Sequence, residues 1–158
     1  MPETSHSTPL IGLDAVALDT ETTGLDVRSA RLVQVAALPL VAGRMRPEDR
    51  FERLINPGIP IPSAVVAVHG ITDAKVADAP PFADIAANLE AYIGRAVVIG
   101  YAIAYDLAVL EREYALAGRT PPRLRALDVR TLARLAAPSL ADYSLEALSE
   151  WLDVRIRG

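Results

Sequence analysis

The sequence contains no cysteine, and that absence removes two options at once: neither a disulfide framework nor a thiolate metal site can be built. Aromatic residues supply only 5% of the chain, so alanine, leucine and valine carry the core. No apolar run approaches the length of a membrane span, and no membrane partner is expected. Residues 1–9 lack the basic start and apolar stretch of a signal peptide, so residues 1–12 are expected to form a flexible tail on a cytoplasmic protein. An excess of positive charge is missing too: 16 Lys and Arg stand against 20 Asp and Glu, a net charge of −4. That balance argues against a broad basic surface tracking long nucleic acid, because such binding scales with the phosphates neutralised. Chemistry at a strand end stays open, since bound cations supply positive charge locally.

What is present fits one compact domain. The 158 residues are 51% hydrophobic and 23% charged, and residues 13–158 show no internal repeat or low-complexity linker. Residues Asp14 to Thr20 read as a buried strand, followed by a turn around Gly24 to Ser29. Arg31 to Leu40 and Arg50 to Ile55 read as two more strands joined near Gly43 to Arg46, and such short connections imply antiparallel pairing. The proline-rich stretch Asn56 to Pro62 excludes helix and central strand. Ser63 is expected to cap a short helical turn leading to His69. Pro80 to Ile93 has helical spacing, with Phe82, Ile85, Leu89 and Tyr92 on one face. A strand at Ala96 to Gly100 then leads to a helix from Asp106 to Ala117, ended by Gly118 and carrying Leu107, Leu110 and Tyr114 inward. A strand at Leu124 to Val129, a helix to Ala137 and a last helix capped by Ser144 complete the order. Three strands in a meander followed by alternating helix and strand predict a mixed α/β sheet flanked by helices. Tyr143 and Trp151 are expected in the core.

The strongest chemical signal is Asp19-Thr20-Glu21-Thr22-Thr23-Gly24 at the end of the first strand. Side chains alternate across a strand, so Asp19 and Glu21 share a face with Ala15 and Ala17, while Val16, Leu18 and Thr20 take the other. Their Cα atoms are roughly 7 Å apart, from a rise of about 3.3 Å per residue. Two carboxylates held that close on a sheet stay ionised only with positive charge between them. Hard divalent cations, Mg²⁺ or Mn²⁺, suit an all-oxygen donor set.

The string ALDTETTGL resembles the first motif of the DEDD-type 3'→5' exonucleases, particularly the branch of the bacterial replicative polymerase proofreading (epsilon) subunit. The similarity continues in order through LVQVAAL, LINPGIPIP, AVHGIT, VVIGYAIAYDLAVL and LDVRTLARL. The resemblance implies an RNase H-like fold and two-metal phosphodiester hydrolysis, with Asp19, Glu21 and Asp106 as metal-binding and catalytic residues. It also implies that Thr22, Thr23, Gly24 and Leu25 contact the 3'-terminal nucleotide, Leu25 against the base, and that His69 lines the nucleotide pocket. Plainer readings run alongside. Asp106 suits any helix N-terminus, a tight turn alone would select Gly24, His69 could bond backbone, and Asp128 reads as a helix cap. Where the family often carries His-Asn, this sequence has Tyr101-Ala102.

The resemblance further implies a third motif, His-x-x-x-x-Asp or Tyr-x-x-x-Asp, on a C-terminal helix. Neither pattern follows Asp106, and the two histidines, His6 and His69, both precede it. Residues 13–158 are therefore expected to be an exonuclease domain lacking its C-terminal catalytic helix. Its implied partners are a single-stranded DNA or RNA 3' end, short oligonucleotides, and further domains or a polymerase. The alternative is a non-catalytic nucleotide- or partner-binding domain of a larger protein. An RNase H-like endonuclease or integrase would share the acidic sheet, but the Thr-Thr-Gly after Glu21 speaks against it.

Overall fold

The computed structural model describes residues 9–154, so residues 1–8 of the expected tail lie outside the described residues, while Leu10–Gly12 forms a single 3₁₀ turn. The first strand, β1 (Ala15–Thr22), sits in the middle of the sheet, as its apolar run requires. It pairs antiparallel with β2 (Leu32–Val41) from Ala15 opposite Leu40 to Thr22 opposite Leu32, with a register shift between Glu21 and Thr22. Beyond β2 the sheet is shared by the two-residue β3 (Arg44–Met45) and by β4 (Phe51–Leu54), both antiparallel to it. The β2–β3 hairpin turns through Ala42 and Gly43, both at positive φ (50° and 72°), the sense that matches strand twist in a two-residue turn. On its other side β1 runs parallel to β5 (Val97–Gly100), which runs parallel to β6 (Arg125–Asp128). The expected meander and alternating second half are both present; β3 and a 3₁₀ turn at Pro47–Asp49 refine the connection between β2 and β4.

Six helices complete the described residues: α1 (Ser63–His69), α2 (Asp73–Val76), α3 (Phe82–Ile93), α4 (Ala104–Leu116), α5 (Val129–Ala136) and α6 (Leu145–Trp151). Phe82, Ile85 and Leu89 of α3 and Val109, Leu110 and Tyr114 of α4 bury against Val16, Leu18, Leu32 and Val35 of the sheet. Phe82 and Tyr114 meet edge to face, with centroids 5.0 Å apart, the arrangement that the ring quadrupoles favour. A smaller cluster of Val33, Ile61, Ile71 and Val76 seats α1 and α2.

Three local expectations are corrected. Ser63 is the first residue of α1 and makes no capping bond, because Pro62 with its fixed φ stands at the cap position. Helix α4 starts at Ala104, two residues before Asp106. Trp151 is 45% exposed, since the short α6 buries Leu148 instead. Ser144 does cap α6, accepting from Ala147 N, and Asp128 caps α5, accepting from the amides of Arg130 and Thr131.

One polar contact fixes α4 against the sheet. Glu113, 2% exposed, accepts from Arg31 Nε at 2.7 Å, from Arg31 Nη2 at 3.2 Å and from the Leu32 amide at 3.1 Å. Arg31 is bound in turn to the end of β1: its amide donates to Thr23 Oγ1, and its carbonyl accepts from Thr23 N. A carboxylate this deeply buried holds its charge only with such donors. Glu113→Ala leaves Arg31 and the Leu32 amide unpaired, and chemical denaturation should show a loss of about 3–5 kcal/mol. A loss under about 1 kcal/mol would mean the pair is not the strut described here.

Candidate active site

The site lies where two strands part. The ladder between β1 and β5 covers only Ala15–Ala17 opposite Val97–Ile99, whereas β1 stays paired with β2 to Thr22. At Gly100 the two chains are so close that an added Cβ would lie 2.8 Å from the Leu18 carbonyl oxygen and 2.5 Å from Ile103 Cδ1. Immediately beyond, the backbone turns away through Ala102, at a positive φ of 51°, and enters α4. The Thr20 amide, on the side β5 has left, would lack a partner. Asp106 supplies it: its Oδ1 accepts from Thr20 N at 3.0 Å and from Thr20 Oγ1 at 2.7 Å. Asp106 thereby joins Asp19 and Glu21, 85 or more positions away in sequence, at the carboxyl end of the strands.

The three carboxylates feel one another. Asp106 is buried, Glu21 half-buried and Asp19 open to solvent on one side. Burial raises the pKa of all three above the ordinary carboxylate range. For Glu21 the charges of Asp19 and Asp106 add to the rise, and His69 opposes it. For Asp106 the hydrogen bond from the Thr20 hydroxyl pulls the other way, and Asp19 adds to the rise. Among the described residues no group of three or more His, Cys, Asp or Glu side chains is drawn together closely enough to hold a metal ion by itself. The donor set still fits a small hard cation. Mg²⁺ is typically held by one or two carboxylates and fills its other positions with water and substrate phosphate.

Next to the carboxylates, the turn after β1 is built from the inside. Thr22 and Thr23 are both 7% exposed. Thr22 Oγ1 lies 2.7 Å from the Gly24 carbonyl oxygen and 2.7 Å from the Tyr105 hydroxyl, which also bonds Gly24 O. Both threonine hydroxyls thus serve the turn. Gly24 itself has room: an added Cβ would meet nothing within 4 Å, and no left-handed φ demands glycine there. The tight-turn explanation for Gly24 is therefore corrected. Leu25 projects into solvent, 86% exposed. His69 accepts from the Ile71 amide at Nδ1 (3.0 Å), which leaves Nε2 to donate to the Thr22 carbonyl at 3.3 Å. It bonds backbone at both ring nitrogens and ties the end of α1 to the end of β1.

Tyr105, Arg31 and Glu113 were not singled out by sequence reasoning. For Tyr105 the available signal was its place directly before Asp106. Arg31 and Glu113 are 82 positions apart, and nothing local in the sequence marks them as a pair.

The Exonuclease (RNase_T) family model matches residues 16–158. A DNA polymerase III subunit epsilon-like protein of Rhodobacter capsulatus is 38% identical over 150 residues, which are 94% of this chain and 21% of that protein. The 3'-5' exonuclease DinG of Bacillus subtilis is 30% identical over 141 residues, 89% of this chain and 15% of that protein. The chain thus spans about a fifth or less of these relatives. Among solved structures, exonuclease X in complex with 5' overhanging duplex DNA superposes with a TM-score of 0.72 at 26% identity, covering 90% of this chain and 75% of that one. A crystal structure of SSB/exonuclease I with an inhibitor reaches 0.80 at 18% identity, covering 92% and 38%, and shares the fold. The fold is RNase H-like.

Because the pKa of each of the three carboxylates is higher in the folded chain than in the unfolded one, ionising them costs stability. The cost is present at neutral pH. It is relieved as pH falls through the raised folded values, and no further change comes below the unfolded values. In chelator at neutral pH, Asp19→Asn should therefore melt higher than the wild type, and the gap should close below about pH 4. Thermal melts across that range check both halves; a variant that melts lower at neutral pH would contradict the electrostatic picture.

Proposed function

Because the chain belongs to the Exonuclease family, we propose that it removes nucleotides from the 3' end of a single-stranded nucleic acid by metal-assisted phosphodiester hydrolysis. The observation that carries this reading is the clasp of Asp106 on Thr20, which sets a third carboxylate beside Asp19 and Glu21 at the sheet's carboxyl edge. Asp19, Glu21 and Asp106 would hold Mg²⁺ or Mn²⁺ in a two-metal site. Such ions make hydroxide available near neutral pH and compensate charge on the leaving 3' oxygen. The open space at Gly24 and the exposed Leu25 suit a terminal nucleotide, with the backbone at the sugar and the leucine against the base. His69 belongs to the pocket wall, holding the turn through Thr22 rather than taking a proton.

Proton transfer from the attacking water is the step these residues serve least. Among the 158 residues no His-x-x-x-x-Asp or Tyr-x-x-x-Asp pattern follows Asp106. A positioned general base is typically worth about 10²–10⁴-fold, and turnover by these residues alone should be slow by that order. The span of the relatives makes attached domains or a polymerase the natural context.

A 5'-labelled single strand incubated with Mn²⁺ should shorten from its 3' end one nucleotide at a time, faster with added imidazole. A circular single strand should stay intact, and Asp19→Asn or Asp106→Asn should abolish shortening. Cutting of the circle would replace this reading with an endonuclease. Binding of the linear strand without turnover, even with imidazole, would favour the non-catalytic binding domain.

Gly24→Ala separates pocket from fold. Its added methyl enters open space and restricts the unfolded chain, so stability should hold or rise by about 0.4–1 kcal/mol. Affinity for a 3'-terminal nucleotide should fall on the order of tenfold or more, as expected for overfilling a fitted site. Unchanged affinity, measured by calorimetry with Mn²⁺ and a nucleoside 5'-monophosphate, would move the nucleotide away from this turn.

A further inference from the structure

Helix α5 carries two arginines that none of the preceding argument uses. Arg130 and Arg134 are one helical turn apart and so share a face. The guanidinium of Arg130 lies 5.6 Å from the ring centroid of Tyr101, and that of Arg134 lies 5.4 Å from the ring centroid of Tyr143, both within cation–π reach. The Tyr101 hydroxyl donates to the Tyr143 backbone carbonyl at 2.9 Å, and the Tyr143 hydroxyl donates to the Ala137 carbonyl at 2.8 Å, so both rings are held in place. Neither arginine has a carboxylate within ion-pair distance among the described residues. Arg28, Arg31, Arg46, Arg50 and Arg119 are paired with carboxylates; what distinguishes Arg130 and Arg134 is that two ring-backed arginines share one helix face. The two therefore present ring-backed positive charge side by side on a chain of net charge −4.

Their position in the fold identifies the anion. Strands β5 and β6 end level with each other, beside Leu18 of the longer β1: Gly100 abuts Leu18 and pairs with Asp128. Asp19, Tyr101 and the start of α5 therefore follow one another along one edge of the sheet. Two inter-strand spacings of about 4.8 Å put the first turn of α5 on the order of 10 Å from β1. We propose that Tyr101, Arg130, Tyr143 and Arg134 form a strip that holds the backbone of the single strand leading into the site, the arginines on successive phosphates and the tyrosine rings as their backing. This rests on the exonuclease reading and adds the path of the substrate. On the other side of β1 the ring-backed arginine, Arg53 over Phe51, stands next to the carboxylate of Glu52, which accepts from Gln34 and is paired with Arg50.

Two phosphate contacts on a single strand should appear in the salt dependence, with log affinity falling against log salt at a slope of about −0.7 per contact. Fluorescence anisotropy with a labelled ten-nucleotide single strand, in Ca²⁺ on the Asp19→Asn background, reads binding without turnover. Arg130→Gln/Arg134→Gln should weaken binding at least about tenfold at low salt and flatten the slope by about 1.4, while Arg130→Lys/Arg134→Lys should keep the slope. Affinity should rise between a two- and a ten-nucleotide strand for the parent and stay flat for the glutamine variant. Equal slopes and affinities in parent and glutamine variant, with both folded by thermal melting, would overturn the strip whatever the outcome of the 3'-end assay. If the glutamine variant does not fold, the lysine variant and the parent's own slope decide, and a slope near zero refutes the proposal. Loss of 3'-end shortening in the wild type with the salt effect intact would overturn the exonuclease reading and leave the strip standing.

Discussion

Everything chemical in this molecule depends on one carboxylate oxygen occupying a place that a strand has vacated. Where β5 turns away from β1, the Thr20 amide would be left without a partner, and Asp106 Oδ1 takes that amide and the Thr20 hydroxyl together. An unpaired buried amide costs about 1–3 kcal/mol, so the clasp is structural as well as positional. It holds the first turn of α4 at the end of β1 and leaves the second oxygen of Asp106 free of that duty. The geometry of the acidic cluster follows from the sheet's own need for hydrogen bonds.

That arrangement is costly, and the cost is met elsewhere. Burial raises the pKa of all three carboxylates, and neighbouring negative charge adds to the rise for Glu21 and Asp106. The strut at the far end of the same helix face carries no such repulsion. Glu113 lies seven residues, or two turns, beyond Asp106, and it is satisfied by Arg31 and the Leu32 amide. Helix α4 is thus pinned at both ends to the strands flanking the site. Between the pins, Val109 and Leu110 pack into the main core. Rigid backing of this kind lets an acidic cluster persist without collapsing or splaying.

Much of this was legible in the sequence, and the remainder was hidden for identifiable reasons. Strand alternation alone set Asp19 and Glu21 apart from Val16 and Leu18, and the structure buries the latter pair in the core. Short connections gave the antiparallel start, and apolar spacing gave the inner face of α3. Asp106 was ambiguous because an acidic residue in a first helical turn has an ordinary electrostatic explanation; only the departure of β5 makes it a partner for Thr20. Gly24 shows the reverse. Glycine in a Thr-Thr-Gly turn suggests backbone strain, but the backbone there needs no glycine and the open space is what remains. The Arg31–Glu113 pair was invisible because no periodicity links residues 82 positions apart. Trp151, expected in the core, lies exposed because the two-turn α6 buries only Leu148.

The place of the site also follows from strand direction. In open sheets the crevice outside the carboxyl ends of the strands, at the point where the order reverses, is where loops diverge and ligands fit. Here β1 has an antiparallel neighbour on one side and a parallel one on the other. Its carboxyl end therefore faces the loop that opens β2 on one flank and the start of α4 on the other. The first loop supplies Gly24 and Leu25, and the helix supplies Tyr105 and Asp106. Tyr105 and Thr22 close the gap between these flanks by converging on the Gly24 carbonyl. A sheet parallel throughout would give β1 a helix on each flank. One antiparallel throughout would give it hairpins. The mixed order puts a hydrogen-bonded turn and a helix on either side of the same two carboxylates, so the two flanks of the cluster are built from different kinds of structure.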